Sequence, residues 1–462
     1  MVRWLIPLVV VALACAWVFG NTSRAQNLLN DSDTAVALRA IQARHDPMSW
    51  FRTDWPLGNH FYRPLPSLTL EYDLAVHGTS PDGFGVTNGI ICVIGVLALY
   101  WAMSELCESL AMGAACAVLF SIWITDVGAV WGWMLSLAIV PLAALGIWRQ
   151  RLKLRNWLPV LLALYYAAVV EVPGAGPGFV MNGDMNRRTL AWIPGRTATL
   201  MTVFALLAMA LYARYERLGA RRDPRPEPGP LDLPATRTSV QSPLRQHGGW
   251  PLAVGAWICV AAALACYEQA VMAPAALTGV AIILRARGLR VRVCWQFAFW
   301  ALIPAYLLLR HVVLPPGLSG YQAQQLRHST GPWIDMARSV FPTIGDLWDA
   351  WDRMTTEGFL VLMDTGVFVG LLLVASNIAG LAQISKRWPL AVGGLLLCLV
   401  TYMPMTWSKY FGHYGYWPSA CRALFVVCLL VGVWEGVVIA VSPPARKAPS
   451  RPRPAPGSLP HP

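Results

Sequence analysis

The first candidates for chemistry in this chain are acidic side chains set just beside long apolar stretches. Asn30-Asp31-Ser32-Asp33 follows the first apolar block. A carboxylate at a membrane–water boundary can take the proton of an attacking hydroxyl, so Asp31 and Asp33 are candidate general bases. The same residue types also favour a helix N-cap, and the DTAVALRAIQAR stretch that follows carries apolar residues at helical spacing. Arg63, in Tyr62-Arg63-Pro64-Leu65, suits a phosphate, because a guanidinium can hold two phosphate oxygens at once. An ordinary interfacial arginine is the equal alternative. Asp126 sits in a turn between two apolar blocks, Glu268 lies at the end of another, and Asp364 falls inside one. An ionisable group this close to hydrocarbon is costly and is a functional hypothesis by default. For Glu268 the plainer reading is a structural hydrogen bond to a neighbouring helix. Asp184 and Glu171, in a Gly/Pro-rich loop, weigh less. Around His413, the run Lys409-Tyr410-Phe411-Gly412-His413-Tyr414-Gly415-Tyr416-Trp417 is either an interfacial aromatic belt or a cluster facing phosphate and sugar.

The elements that position these residues follow from composition. Hydrophobic residues make up 56% of the chain and charged ones 13%, with a mean hydropathy of +0.49. Soluble proteins carry roughly a quarter charged residues, so a bilayer is the solvent here. Apolar blocks near the ~20 residues needed to cross a bilayer predict about twelve transmembrane helices. These are 4–20, 86–104, 110–125, 128–147, 157–172, 197–213, 251–267, 270–285, 294–312, 358–381, 388–405 and 419–441. The fold class expected is therefore an all-α polytopic membrane protein, since helices satisfy their own backbone groups in lipid. The first block is read as a retained anchor rather than a signal peptide, although Ala14-Cys15-Ala16 is a cleavage-like triplet. Nine of the ten cysteines fall in apolar blocks and Cys107 sits in a tight turn, with no CxxC, so no disulfide framework or thiolate metal site is indicated. The net charge of +12 would suggest nucleic acid on a soluble protein, but here its sidedness matters more. P-loop, HExxH, GxSxG and Rossmann patterns have no credible context.

Lysine and arginine bias sets the orientation expected for such a chain. With both termini in the cytoplasm, the inner segments carry Arg149, Arg151, Lys153 and Arg155, then an arginine-rich 214–249 loop. Arg285, Arg287, Arg290 and Arg292 follow, with Lys386, Arg387 and the basic tail. Few acids share that side: Glu105, Glu108, Glu216, Asp223, Glu227 and Asp232. The acidic face therefore looks outward. The multi-pass domain covers 1–442, with two long outer loops, 21–85 and 313–357, each expected to hold helices lying along the membrane surface. In the first, Trp50, Phe51, Trp55, Phe61, Tyr62 and Tyr72 supply aromatic packing surface; in the second, Trp333, Ile334, Ala337, Val340 and Phe341 recur at helical spacing. The inner stretch 218–249 and the tail 443–462 are rich in Pro and charge and read as disordered.

Four stretches together resemble the GT-C superfamily of glycosyltransferases that use polyprenyl-phosphate sugars, in particular bacterial relatives of the membrane O-mannosyltransferases. Asn30–Asp33, with Tyr62-Arg63-Pro64-Leu65 and Thr87-Asn88, is similar to that family's acidic first loop, YRPL-type motif and following Asn. Trp192-Ile193-Pro194-Gly195-Arg196 resembles its W-I-x-G-R element, Tyr267-Glu268-Gln269-Ala270-Val271 its K-E-x-A-V, and Tyr414-Gly415-Tyr416-Trp417-Pro418-Ser419-Ala420 its R-Y-x-Y-x-P-S-A. Tyr267 replaces the usual Lys, Cys92 stands where His is common, and Arg188 occupies the position aligned with the family's second acid.

The resemblance implies an inverting transferase of the cytoplasmic (inner) membrane, moving one sugar from a polyprenyl-phosphate donor to a hydroxyl on its outer face. Asp33 or Asp31 would be the base, and Arg63, Arg196 and His413 would hold the donor phosphate. Asp126 and Glu268 would orient the acceptor, or bind a divalent cation if one is needed. The partners implied are the lipid-linked donor, a protein, lipid or glycan acceptor, and membrane lipids, with no nucleic acid. A transporter or non-catalytic membrane protein is the rival reading, and a ligase or polymerase of lipid-linked glycans a third.

Overall fold

The computed structural model describes residues 2–22, 31–44, 46–125, 192–222, 249–327, 386–408 and 411–441. Among these residues every regular element is helical and no strand occurs. The helices are α1 (Val2–Thr22), α2 (Ser32–Arg44), α3 (Pro64–His77), α4 (Pro81–Cys107), α5 (Leu110–Thr125) and α6 (Arg196–Arg222). They continue with α7 (Trp250–Leu264), α8 (Ala273–Ala286), α9 (Cys294–Val313), α10 (Gly320–Arg327), α11 (Trp388–Tyr402) and α12 (Tyr416–Val441). Short 3-10 turns, among them Pro47–Phe51, Ile193–Gly195, Glu268–Met272 and Gly412–Gly415, join or precede them.

Five stretches of these helices are long and apolar enough to cross a membrane: Pro81–Cys107, Ile193–Gly219, Glu268–Ala286, Cys294–Val313 and Trp388–Trp407. Leu5–Asn21, Leu110–Thr125 and Trp250–Leu264 are shorter apolar helices. Their surface is inverted relative to a water-soluble bundle: Phe297, Leu308 and Val312 on α9 and Leu5 and Leu13 on α1 are exposed. Apolar stripes of this kind are stable facing lipid rather than water. The chain is therefore a membrane-embedded helical protein. Of the expected spans, 128–147, 157–172 and 358–381 lie outside the described residues. The others coincide with helices whose ends differ: α4 begins at Pro81 rather than 86, and α7 stops at Leu264 before Glu268.

α4 is the central helix, packed on α1, α5 and α6, while α7 lies on α6 and the α11–α12 pair joins α5 and α8. Small residues allow close approach between these helices. A methyl built on Gly394 of α11 would lie 2.8 Å from the Phe425 amide nitrogen of α12, and one on Gly113 of α5 2.8 Å from the Tyr100 carbonyl of α4.

Polar residues separate to the two ends of the bundle. At one end Glu105 takes Arg214 at 2.8 Å and Arg217 at 2.6 Å, and Arg287 lies 3.5 Å from Glu108. Nearby, the Arg292 amide donates to Glu216 at 3.1 Å and Arg387 pairs with Glu435 at 2.7 Å. The described segments expected to share the basic side thus do fall together. The opposite end carries α2, α3 and α10, with the Trp192, Glu268 and His413 turns; it is termed the loop end below. The first long loop contains the expected helix, as α2, and a second one, α3, that begins within the YRPL motif. In the second, α10 is described, whereas the Trp333–Phe341 stretch lies outside the described residues, as do 223–248 and 443–462.

Candidate functional site

Pro64 opens α3 at the first helical position, where a missing N–H costs nothing and the fixed φ is already helical. Arg63 is left as the N-cap residue, with its carbonyl accepting from the Ser67 hydroxyl at 2.9 Å. The next amide, Leu65, donates to the Ala265 carbonyl just past α7 at 3.2 Å. This link between two distant segments sets Arg63 beside the 3-10 turn that starts at Glu268. The guanidinium grips one carboxylate oxygen, with Nε at 3.0 Å and Nη2 at 2.6 Å from Oε2. Their side chains are 11% and 16% exposed, so the pair sits at a boundary rather than in the interior.

Aromatic rings wall this pair. The Arg63 guanidinium lies 4.1 Å from the Phe61 ring centre, 4.5 Å from Tyr267 and 5.7 Å from Trp55, each a favourable cation–π arrangement. Asp54 fixes the Phe61 segment by accepting from the His60 amide at 2.8 Å and the Phe61 amide at 2.9 Å. α10 closes over it, since Gln322 donates to the His60 carbonyl at 3.0 Å and Ser319 to the Asn59 carbonyl at 3.0 Å. Burial alone would pull the Arg63 proton affinity down, but the Glu268 carboxylate and Tyr267 beside it raise it instead. The guanidinium is thus a fixed positive charge, and among the described residues its Nη1 has no protein acceptor.

His413 extends the site. Its Nε2 lies 3.2 Å from the Tyr267 hydroxyl, and its ring packs against Trp192 at 5.5 Å and Phe411 at 5.7 Å. Gln269 ties the same turn to the C-terminal segment by donating to the Thr401 carbonyl at 2.8 Å and the Tyr414 carbonyl at 3.1 Å. Burial pushes the Tyr414 phenol up to about 12, so it remains a neutral hydroxyl at ordinary pH.

Arg196 is placed differently. Its side chain is 1% exposed and lies 2.6 Å from the fully buried Asp73 of α3. Its Nε donates to Asn88 at 2.7 Å and its Nη1 to Thr69 at 3.3 Å, while Thr87 donates to the other Asp73 oxygen at 2.5 Å. The guanidinium is saturated by α3 and α4, so it braces the site's scaffold from α6 rather than facing it. Asp31 takes the capping role that the sequence offered as an alternative: its carboxylate accepts from the Thr34 amide at 3.0 Å and from the Thr34 hydroxyl. Asp33 is exposed in the first turn of α2. That helix packs through Leu38 and Ile41 on Trp50, Trp55, Leu70, Phe84 and Ile193. Trp55 is therefore the link between the acidic helix and the Arg63–Glu268 pair.

The structure thus brings Arg63, Glu268 and His413 together, seats Asp31 and Asp33 on an adjoining helix, and sets Arg196 in the interior. Asp126 and Asp364 lie outside the described residues. Among the described residues no group of three His, Cys, Asp or Glu side chains could hold a metal ion. Sequence reasoning missed Asp73 as the partner of Arg196 and Tyr267, Phe61 and Trp55 as the walls of the Arg63 site. The signal for the walls was the aromatic density of residues 50–62. No family model, curated protein or solved structure matches the chain in comparisons with known proteins.

Proposed function

We propose that this protein is a membrane glycosyltransferase that moves a sugar from a polyprenyl phosphate to an acceptor hydroxyl on the outer face of the cytoplasmic membrane, with both termini inside. The observation that carries the reading is the meeting of motifs far apart in the chain. Arg63 and Glu268, 205 residues apart, form one charged pair. Tyr267 and Trp192 contact His413, and Arg196 binds Asn88. The YRPL, Asn88, W-I-x-G-R, Tyr267–Val271 and Tyr414 stretches thus meet at the loop end, with α2 packed alongside them.

In the reaction, a carboxylate on α2 removes the proton of the acceptor hydroxyl. The hydroxyl oxygen attacks the anomeric carbon while the bond from that carbon to the phosphate oxygen breaks, and the electron pair leaves with the polyprenyl phosphate. Arg63, held at one edge by Glu268, offers its other edge to the phosphate, where negative charge grows. His413 flanks the same phosphate, and Arg196 keeps α3 seated so that Arg63 stays aimed. Asp33, exposed in the first turn of α2, is the preferred base, with Asp31, whose carboxylate caps that helix, the alternative. Asp126 and Glu268 would orient the acceptor, or hold a divalent cation if one is needed.

The test is transfer by the purified, lipid-reconstituted protein from labelled polyprenyl-phosphate sugars to outer-face acceptors, beside Asp33→Asn and Asp31→Asn. Removing the base is expected to slow transfer at least about a hundredfold. Full transfer by both variants at normal membrane levels would sink the assignment.

A further inference from the structure

The arginine-rich end holds a cavity that the transferase reading does not use. Its volume is about 720 Å³, and it opens between the α4–α5 turn, the end of α8, the start of α11 and the C-terminal half of α12. Three cations line it, Arg287, Lys386 and Arg387, against the single carboxylate of Glu435. Arg387 and Glu435 neutralise each other through paired contacts of 2.7 Å. Arg287 donates to the Leu106 carbonyl and stands 3.5 Å from Glu108, a carboxylate also 3.7 Å from Arg217. Lys386 is exposed and has no ion-pair partner among the described residues. The cavity therefore keeps an excess of positive charge. Trp388 beside it is 56% exposed, as suits an indole at the depth of lipid headgroups.

A second space adjoins this one. A groove of about 400 Å³ runs between α1, α5 and α12, and Ala111, Ala115 and Val431 line both spaces. Every residue along the groove is apolar, from Ile6 and Val10 to Leu119 and Val427. A soluble anion would account for the cations but leave the groove unexplained, and a neutral lipid would do the reverse. One molecule with a phosphate at one end and hydrocarbon at the other satisfies both. Basic pockets between transmembrane helices take anionic headgroups for this reason.

We propose that the cavity and groove hold one anionic phospholipid drawn from the surrounding bilayer, its phosphate between Arg287 and Lys386 and an acyl chain between α1, α5 and α12. Such a lipid would fill the seam between the N-terminal helix and the C-terminal pair. The site stands whether or not the loop end transfers sugar.

Native mass spectrometry of the full chain can test this by titration with phosphatidylglycerol, with phosphatidylcholine of the same chains, and with polyprenyl phosphate. The wild type is expected to retain phosphatidylglycerol at least about tenfold over phosphatidylcholine, with each cation worth about fivefold. Lys386→Gln, an exposed change that leaves folding intact, should cut that preference about fivefold, and Arg287→Gln with Lys386→Gln should abolish it. Ala115→Phe should weaken phosphatidylglycerol binding by narrowing the groove without touching charge. Equal retention of the two phospholipids, or a preference unchanged by Lys386→Gln, would overturn the proposal. So would retention of polyprenyl phosphate that Lys386→Gln weakens, which would make the carrier lipid the occupant of this cavity; carrier lipid held at the loop end would not respond to that change.

Discussion

Both ends of the bundle pair arginine with carboxylate, yet they use the pair in opposite ways. At the loop end the pairs are enclosed: Arg196 and Asp73 are 1% and 0% exposed, and Arg63 with Glu268 sits inside an aromatic wall. There the Arg196–Asp73 and Arg63–Glu268 charges are matched, and these pairs tie α3 to α6 and to the turn after α7. At the other end Glu105 and Glu108 are shared among Arg214, Arg217 and Arg287, and positive charge is left over. Enclosed charges must be paired because a lone buried ion is very costly, whereas exposed ones can remain in excess at little cost. The loop end thus fixes geometry, whereas the arginine-rich end keeps positive charge in excess.

Substitutions can break or sharpen this contrast. The largest effect is expected from Asp73→Ala, which strands Arg196 in the interior and should cost about 3–5 kcal/mol. Thermal unfolding of the detergent-purified protein, or loss of its monodisperse fraction, would register it. Glu268→Gln should cost less, about 1.5–3 kcal/mol, because Arg63 keeps its aromatic contacts and some solvent. Trp50→Phe removes the indole hydrogen bond to Glu71, 2.6 Å long, and should cost about 1 kcal/mol in the same assay. Arg214→Gln at the other end should be the mildest, below about 1 kcal/mol, since that side chain is 48% exposed. A large loss there, or none at Asp73, would erase the distinction between the ends.

Much of the fold was legible because hydropathy acts locally: blocks of apolar residues became helices, and the Asp31 cap with the spacing after it became α2. Arginine clustering also anticipated which described turns share an end. Long-range partners were not legible. Asp73 shows nothing in sequence to tie it to Arg196, and only folding α3 against α4 and α6 makes them a pair. The helix α3 was not read from the sequence, although Pro64 at its first position is a residue that starts a helix. The aromatic walls of Arg63 were visible as composition, but their convergence depends on the Leu65–Ala265 link. Glu268, read as either structural or functional, proves to anchor Arg63 directly.

The central claim is that the loop end recognises a lipid-borne phosphate, and binding tests it without knowledge of sugar or acceptor. Equilibrium binding of polyprenyl phosphate to the purified protein should be measured for the wild type and for Arg63→Ala. Loss of a charge-assisted phosphate contact worth about 1.5–3 kcal/mol should weaken binding roughly ten- to a hundredfold. Arg214→Gln should leave it unchanged. Wild-type binding that Arg63→Ala does not alter, or no binding at all, would contradict the claim.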